Sequence, residues 1–596
     1  MKKYLLIALA VIGLAACAKE DISGGNGPSH SGEVEESYIA ISLATSESTR
    51  ADGDDGYLVG TDIERQVASA HFFFFKDGVA FPVNVTDGAV TAPGAAPGVN
   101  HLAATINPGP DTGSAPNVSD IKDVVLLLKS YKGEYPNQIV AVLNWSPDPG
   151  TAYDLADLEA AVNLHGPTVD SEYFIMSNSV YLAGNNVMKA TPLTVDKIHK
   201  TEGEANADPV KIYVERVAAK VTVTTTDGET KFPLGDSVMV DGVDTPVYAH
   251  LLGWELHLEN TQSYLLKKID ASWTDDALGF VWNNSPFFRC YWATSLPAPS
   301  SLPAPLGEAE SFKMFYSTSP LPAGFANGYG HAIGNNNNIL NGQFTPGSYS
   351  YIGENTNPRY TDTDGNIQNP CTKVILKAKL GKEDGTPLEI VKWMGQQYIG
   401  EANLRTAIAN TLAYTLYAKS GDGGNVVYTS IKPEDLECVA GGNGAHANII
   451  DDNNSYVQLS DLGETKNWYK LVNGAYEPVA ADLNVDANSL IATNEYLATK
   501  LEPSVLYYSG ETFYYIYIKH LGNGTGKPGD YGIVRNHIYN VVVNSIGGFG
   551  SPTYVGTNKI IEPEYPEDPE DQESFVSAQV NILAWRLVNQ EVDVQP

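Results

Sequence analysis

The sequence predicts a mainly β protein, built as two β-sandwich domains with few short helices. Many short runs alternate apolar and polar residues, the mark of strands with one buried face. In 38–45, for example, Ile39, Ile41 and Leu43 fall on one face and Ala40, Ser42 and Ala44 on the other. Helical periodicity is confined to a few short segments, which favours sandwiches over layered α/β folds. Finally, 596 residues exceed one ordinary domain, and the polar segment 199–209 offers a break.

The first residues set the compartment. Lys2 and Lys3 precede a short apolar run, 4–13, and then Leu14, Ala15, Ala16 and Cys17. A permanent helical span needs about 20 apolar residues, so this run reads as an export signal. The small residues ahead of Cys17 fit a peptidase that cuts before a cysteine to be lipidated. No apolar 18-mer follows, so any membrane attachment is expected through lipid, two or more acyl chains making a stable anchor. Ala18, Lys19, Glu20 and Asp21 resemble an acidic surface-export signal of lipoproteins, and that resemblance implies the outer face of the outer membrane. Residues 18–36 are rich in Gly, Ser and Glu and should form a flexible tether.

The strand at 38–45 runs into a polar stretch that cannot pack and that contains Arg50 followed by Ala51. Runs 67–75 (VASAHFFFF) and 79–83 read as strands joined at Lys76, Asp77 and Gly78. Further strands are expected at 124–131, 138–145 and 173–182. A short helix is expected at 152–163, with Leu155, Leu158 and Val162 on one face. Beyond the polar break, 210–226 (VKIYVERVAAKVTVTTT) should be one strand opening the second domain. Later strands are expected at 247–258, 372–380, 505–508, 512–519 and 534–546, with helices near 401–412 and 489–500. The Gly, Asn and Pro-rich stretches 296–310, 320–345 and 353–370 read as loops. Seven carboxylates and three prolines should keep 562–573 extended, before a last β-like segment at 575–594.

Composition excludes some partners. A net charge of −34 is unsuited to nucleic acid, whose phosphates need Lys and Arg, and suits a solvated exported protein. Beyond Cys17 only Cys290, Cys371 and Cys438 remain, so at most one internal disulfide can form and the fold must depend on its core. No catalytic constellation stands out, no cofactor is called for, and an enzyme is not expected. His250 and His257 lie on an expected strand, and His537 is expected to pack or hydrogen-bond. Asp362, Asp364, Gly365 and Asn366 begin like a calcium loop but lack the closing Glu, so no metal is assigned. The aromatic runs 72–75 and 507–517 are expected as core and cross-strand pairs rather than a sugar platform. Asp236, Ser237 and Val238 resemble a short O-glycosylation signal.

Several stretches stand out together: the cysteine to be lipidated followed by tether, strand and Arg50; 214–221 (VERVAAKV); 351–356 (YIGENT); 531–540 (YGIVRNHIYN) with 547–550 (GGFG); and 580–594 around Trp585. In this order and spacing they resemble the fimbrillins of the Bacteroidales, the shaft subunits of type V pili, and most of all their short-fimbria branch. The resemblance implies two transthyretin-like sandwich domains and polymerisation by strand exchange. It also implies maturation by an arginine-specific protease, here between Arg50 and Ala51. The division it suggests is a signal with lipidated Cys17 at 1–17, a propeptide at 18–50, and sandwich domains at 51–207 and 208–596.

Within this scheme the removable strand supplies Ile39, Ile41 and Leu43, and the C-terminal tail supplies Val588, Val592 and Val594 as a donor strand. A sheet that loses a strand exposes an apolar groove and unpaired backbone groups, and these accept an extended segment of a neighbour. The expected partners are other copies of the chain, anchor and tip subunits, the protease, and host or bacterial surface ligands. Two other readings share the signal and the sandwiches: a permanently anchored glycan-binding surface lipoprotein and an accessory fimbrial subunit.

Overall fold

A computed structural model describes residues 34–45, 64, 67–85, 98–105, 121–164, 173–183, 186–260, 262–269, 293–297, 314–315, 346–361, 363, 365, 367–440, 455–480, 487–502, 504–520, 531–552 and 576–584. The fold is mainly β, with five short helices among the described residues.

The first sheet contains β1 (Val34–Thr45), β2 (Ser69–Lys76), β3 (Val79–Ala80), β4 (His101–Thr105), β5 (Ile121–Tyr131), β6 (Gln138–Leu143), β7 (Met176–Asn178) and β8 (Val210–Arg216). Its order is β3-β2-β6-β7-β8-β1-β5, with β4 also paired to β2. The sheet curls until it meets itself: Lys129 N–H donates to Val83 O (2.8 Å) and Val85 N–H donates to Lys129 O (3.0 Å). Inside lie Ile39, Ile41, Phe72, Phe74, Leu126, Ile139, Ile212 and Val214. The run of four phenylalanines is fully buried because alternate rings serve two cores. Phe72 and Phe74 point inward, whereas Phe73 and Phe75 pack outside the curl with Val140, Val142 and Leu158. Leu158 comes from α1 (Leu155–Ala160), which is shorter than the expected 152–163 because Val162 already belongs to a strand.

Two segments differ from expectation in ways that matter for function. The polar break at 199–209 contains α2 (Glu202–Ala207), started by the Thr201 hydroxyl, which accepts from Glu204 N–H. His199 is bridged to Tyr38 of β1 by two backbone bonds of 2.7 and 2.9 Å. The run 210–226 is two strands rather than one. It breaks at the buried Val217, so β8 stays in the first sheet while β9 (Ala218–Thr225) enters the second.

Beyond β9 the main strands are β10 (Lys231–Val240), β11 (Val243–His257), β12 (Ser348–Gly353), β13 (Lys373–Gly381), β14 (Glu511–Tyr517), β15 (His537–Ile546), β16 (Ser551–Pro552) and β17 (Val576–Ala584). They form one sheet of order β12-β9-β15-β17 and another of order β10-β11-β13-β14-β16. Val221, Val223, Tyr539 and Val541 from the first meet Trp254, Leu256, Val374, Leu376 and Ile516 from the second across one core. That is a β-sandwich.

Sequence periodicity does not disclose a further core. Between strands Gln396–Ile399 and Val505–Tyr507 stand α3 (Gly400–Leu412), α4 (Asp461–Glu464), α5 (Ala487–Lys500) and a four-stranded sheet that includes Leu416–Ser420 and Asn467–Val472. Leu404, Ile408 and Leu412, spaced four apart on α3, pack there with Trp468 and Leu497. Cys371 and Cys438 are free thiols, and burial raises the Cys371 pKa to about 11. Cys290 lies outside the described residues, as does 562–573.

Two measurements follow from this packing. Gly550 has φ +70°, and a Cβ there would lie 2.6 Å from Phe513 O and 2.7 Å from the Thr512 hydroxyl. Gly550→Ala is expected to destabilise by about 2–4 kcal/mol, left-handed strain adding to overpacking, as read by denaturant unfolding. The second concerns acid. His520 is buried, with Nδ1 2.8 Å from the Tyr539 hydroxyl, and desolvation pushes its pKa down to about 3. The unfolded chain protonates this residue near pH 6.5 and the folded chain does not. Stability is therefore full above 6.5 and falls by about 1.4 kcal/mol per pH unit as pH drops towards 3. In His520→Gln the slope between pH 6 and 4 should lose about one proton; an unchanged slope would exclude His520 as its source.

Candidate assembly site

β1 is an inner strand, hydrogen-bonded on both edges. Ile41 to Thr45 pair in parallel with Val210 to Val214 of β8. Val34 to Ile41 pair antiparallel with Tyr131 to Val124 of β5, and the register shifts before Leu43 meets Ile121. Ile39 and Ile41 are 0% exposed and Ala40 1%, so at this point both faces are buried, not the single face the alternation predicts. Fully burying each isoleucine gives roughly 1.5–3 kcal/mol. Leu43 takes part through its backbone, opposite Ile212.

The motifs at 214–221, 351–356 and 531–540, far apart in sequence, converge where the two strand systems meet. Arg535 is buried and places Nε and Nη2 3.2 and 3.0 Å from a Glu354 carboxylate oxygen. Its Nη1 and Nη2 also donate to the carbonyls of Leu265 and Tyr264. Asn355 and Ile533 exchange two backbone bonds of 2.8 Å, which ties the two motifs together. Asn536 has φ +59°, a conformation asparagine tolerates better than most residues, and its N–H donates to Ala218 O. The Asn536 side-chain oxygen accepts from the backbone N–H and Nη1 of Arg216, 3.4 Å each. Beside it Lys267 and Glu215, each 1% exposed, pair at 3.0 Å. His537 is held by its own turn, Nδ1 lying 2.7 Å from Arg535 O. Among the described residues no group of three or more His, Cys, Asp or Glu is placed to hold a metal ion.

The C-terminal strand β17 lies at a sheet edge, paired antiparallel with β15 from His537↔Ala584 to Ile546↔Val576. Of the residues assigned from sequence, Ile39 and Ile41 are together in the core. Cys17, Arg50, Ala51, Val588, Val592 and Val594 lie outside the described residues. The calcium-like loop is described only at Gly365 among its named residues. Sequence reasoning missed Glu64 and Lys267; an isolated charge gives no periodic signal, and only tertiary pairing reveals it.

Residues 505–591 match the family model described as major fimbrial subunit protein type IV, fimbrillin, C-terminal. No curated protein matches. Among solved structures, a fimbrilin of Porphyromonas gingivalis W83 is 12% identical, covering 93% of this chain and 98% of that one at a TM-score of 0.35. A candidate cell adhesion protein of Parabacteroides distasonis ATCC 8503 is 10% identical, with coverages of 93% and 98% and a TM-score of 0.33. The tip fimbrial protein Mfa3 of Porphyromonas gingivalis is 11% identical, with coverages of 92% and 100% and a TM-score of 0.29. The matched segment spans β14 to β17 and contains both the 531–540 and 547–550 motifs, so the similarity of this chain to fimbrillins lies in its C-terminal strands.

Proposed function

We propose that the chain is the repeating subunit of a cell-surface fimbria, exported as a lipoprotein on Cys17, cleaved between Arg50 and Ala51, and polymerised by donor-strand exchange. One observation carries this reading: a strand that precedes Arg50 in sequence is an inner strand of the first sheet. Cutting the chain after it makes β1 a separate peptide. Its departure bares the facing edges of β8 and β5 and the core once covered by Ile39 and Ile41. An extended segment of a second copy can refill that groove, with main-chain bonds for affinity and alternating side chains for register. The C-terminal residues Val588, Val592 and Val594 have that alternation. Head-to-tail joining of this kind does not close, so it grows a filament. Before cleavage β1 competes at high effective concentration and keeps the precursor monomeric. An arginine-specific protease, anchor and tip subunits, and surface ligands complete the partner set.

The test uses precursor carrying Cys17→Ala, which should be soluble and monomeric. Treatment with an arginine-specific protease should produce a chain beginning at Ala51, read by N-terminal sequencing, together with filaments seen by electron microscopy. Arg50→Ala should remain monomeric under the same treatment. Filaments formed by Arg50→Ala would overturn the reading that cleavage opens the groove, and cleaved wild type that stays monomeric would favour a permanently anchored lipoprotein or an accessory subunit.

A further inference from the structure

The proposed cut leaves a question of choice, because Arg65 follows Arg50 by only 15 residues. Its immediate neighbour, Glu64, is held where the two strand systems meet. Glu64 is 0% exposed, and its carboxylate accepts from Lys220 Nζ at 2.8 Å and from the Tyr351 hydroxyl at 2.6 Å. Its backbone carbonyl accepts from Arg216 Nε. Aromatic contacts hold its two donors: Tyr351 packs edge-on to Phe174 with centroids 4.6 Å apart, and Lys220 Nζ lies 4.1 Å over the Tyr349 ring. Burial first, and then the Glu64 carboxylate, holds the Tyr351 hydroxyl well above its ordinary pKa, so it remains a donor.

A protease binds several residues on each side of the bond it cuts as exposed, extended backbone. To cut after Arg65 it must seat Glu64 directly beside the arginine. That would strip Glu64 of three hydrogen bonds, two of them to charged side chains, and leave Lys220 partly buried without its carboxylate. Arg50 is separated from this anchor by residues 51–63. We propose that the Glu64 pocket is a processing stop: it withholds Arg65 from an arginine-specific protease and so makes Arg50 the site that sets the mature N-terminus. The pocket also keeps the cut chain fastened to β9 and β12, through Lys220 and Tyr351, once residues 1–50 have left. The inference builds on the cleavage reading above but stands on different residues.

The experiment is a time course of the Cys17→Ala precursor with an arginine-specific endoprotease under native conditions, with N-termini identified by mass spectrometry. Wild type should yield chains beginning at Ala51 at least about tenfold faster than chains beginning at Gln66, the margin expected from roughly 1.4 kcal/mol or more of local opening. Glu64→Ala should raise the Gln66 product about tenfold or more, and Tyr351→Phe and Lys220→Met should each raise it by less. Arg216 and Arg535 are buried and act as internal controls. If Glu64→Ala is cut there as well it has unfolded globally, and Tyr351→Phe, which loses one hydrogen bond, decides instead. Equal wild-type cutting after Arg65 and Arg50 would overturn the processing stop, as would all three variants leaving Arg65 as protected as in wild type. Protection of Arg65 without cutting at Arg50 would overturn the cleavage reading and leave the stop standing.

Discussion

Truncation after Arg586, removing residues 587–596, is expected to abolish filaments while leaving a folded subunit that is still cut after Arg50. The described part of β17 ends at Ala584, so its pairing with β15 is retained and the second sheet keeps its edge. What is lost is the alternating tail with Val588, Val592 and Val594. Replacing Val592 and Val594 with Asp should act similarly, because each unpaired charge driven into an apolar groove costs several kcal/mol. Truncated protein has a groove without a tail, and Arg50→Ala has a tail without a groove. Mixed after protease treatment, the two should form heterodimers at most, separable by size exclusion. Long filaments from the truncated chain alone would rule out donation by this terminus.

The second large effect is expected at the junction. Arg535→Met should destabilise the unlipidated precursor by roughly 3–5 kcal/mol, the usual consequence of stranding one member of a buried ion pair. Here the stranded group is Glu354, which is 1% exposed, and the carbonyls of Leu265 and Tyr264 lose their donors as well. Glu354→Gln in the same chain should restore part of the loss by removing the buried charge, giving a coupling of more than about 1 kcal/mol in a double-mutant cycle. Denaturant unfolding of the four proteins measures it. A single-mutant loss below about 1 kcal/mol would show that the pair contributes little.

The extent to which the sequence could be read varied with the kind of signal. Helix α3 lies within a residue of the expected 401–412, since Leu404, Ile408 and Leu412 repeat at helical spacing. β15 and β14 are likewise close to expectation, being apolar alternations bounded by turns. The four phenylalanines were legible as core, but not as belonging to two cores, because alternation reports that two faces exist and not what covers each. The run 210–226 misled for a related reason. Its apolar residues change from even positions (Val210, Ile212, Val214) to odd ones (Val217, Ala219, Val221), a phase break that the expectation of one strand passed over, and the two halves join different sheets. Periodicity is a property of one strand; sheet membership depends on distant partners.

By itself the sequence determined the mainly β class, most strand and helix positions, the apolar face of 38–45, and the motifs that carry the fimbrillin resemblance. Only tertiary structure decided that β1 is an inner strand between β8 and β5, that α2 and His199 lie against it, and that Glu64 is gripped by Lys220, Tyr351 and Arg216. The physical reason is the range of the interactions. Propensity and alternation act over a few neighbouring residues and can be read locally. The partner of Glu64's carboxylate is 156 residues away at Lys220 and 287 away at Tyr351. Such pairings form only when the folded backbone brings buried charges together, and their worth is set by the absence of water there.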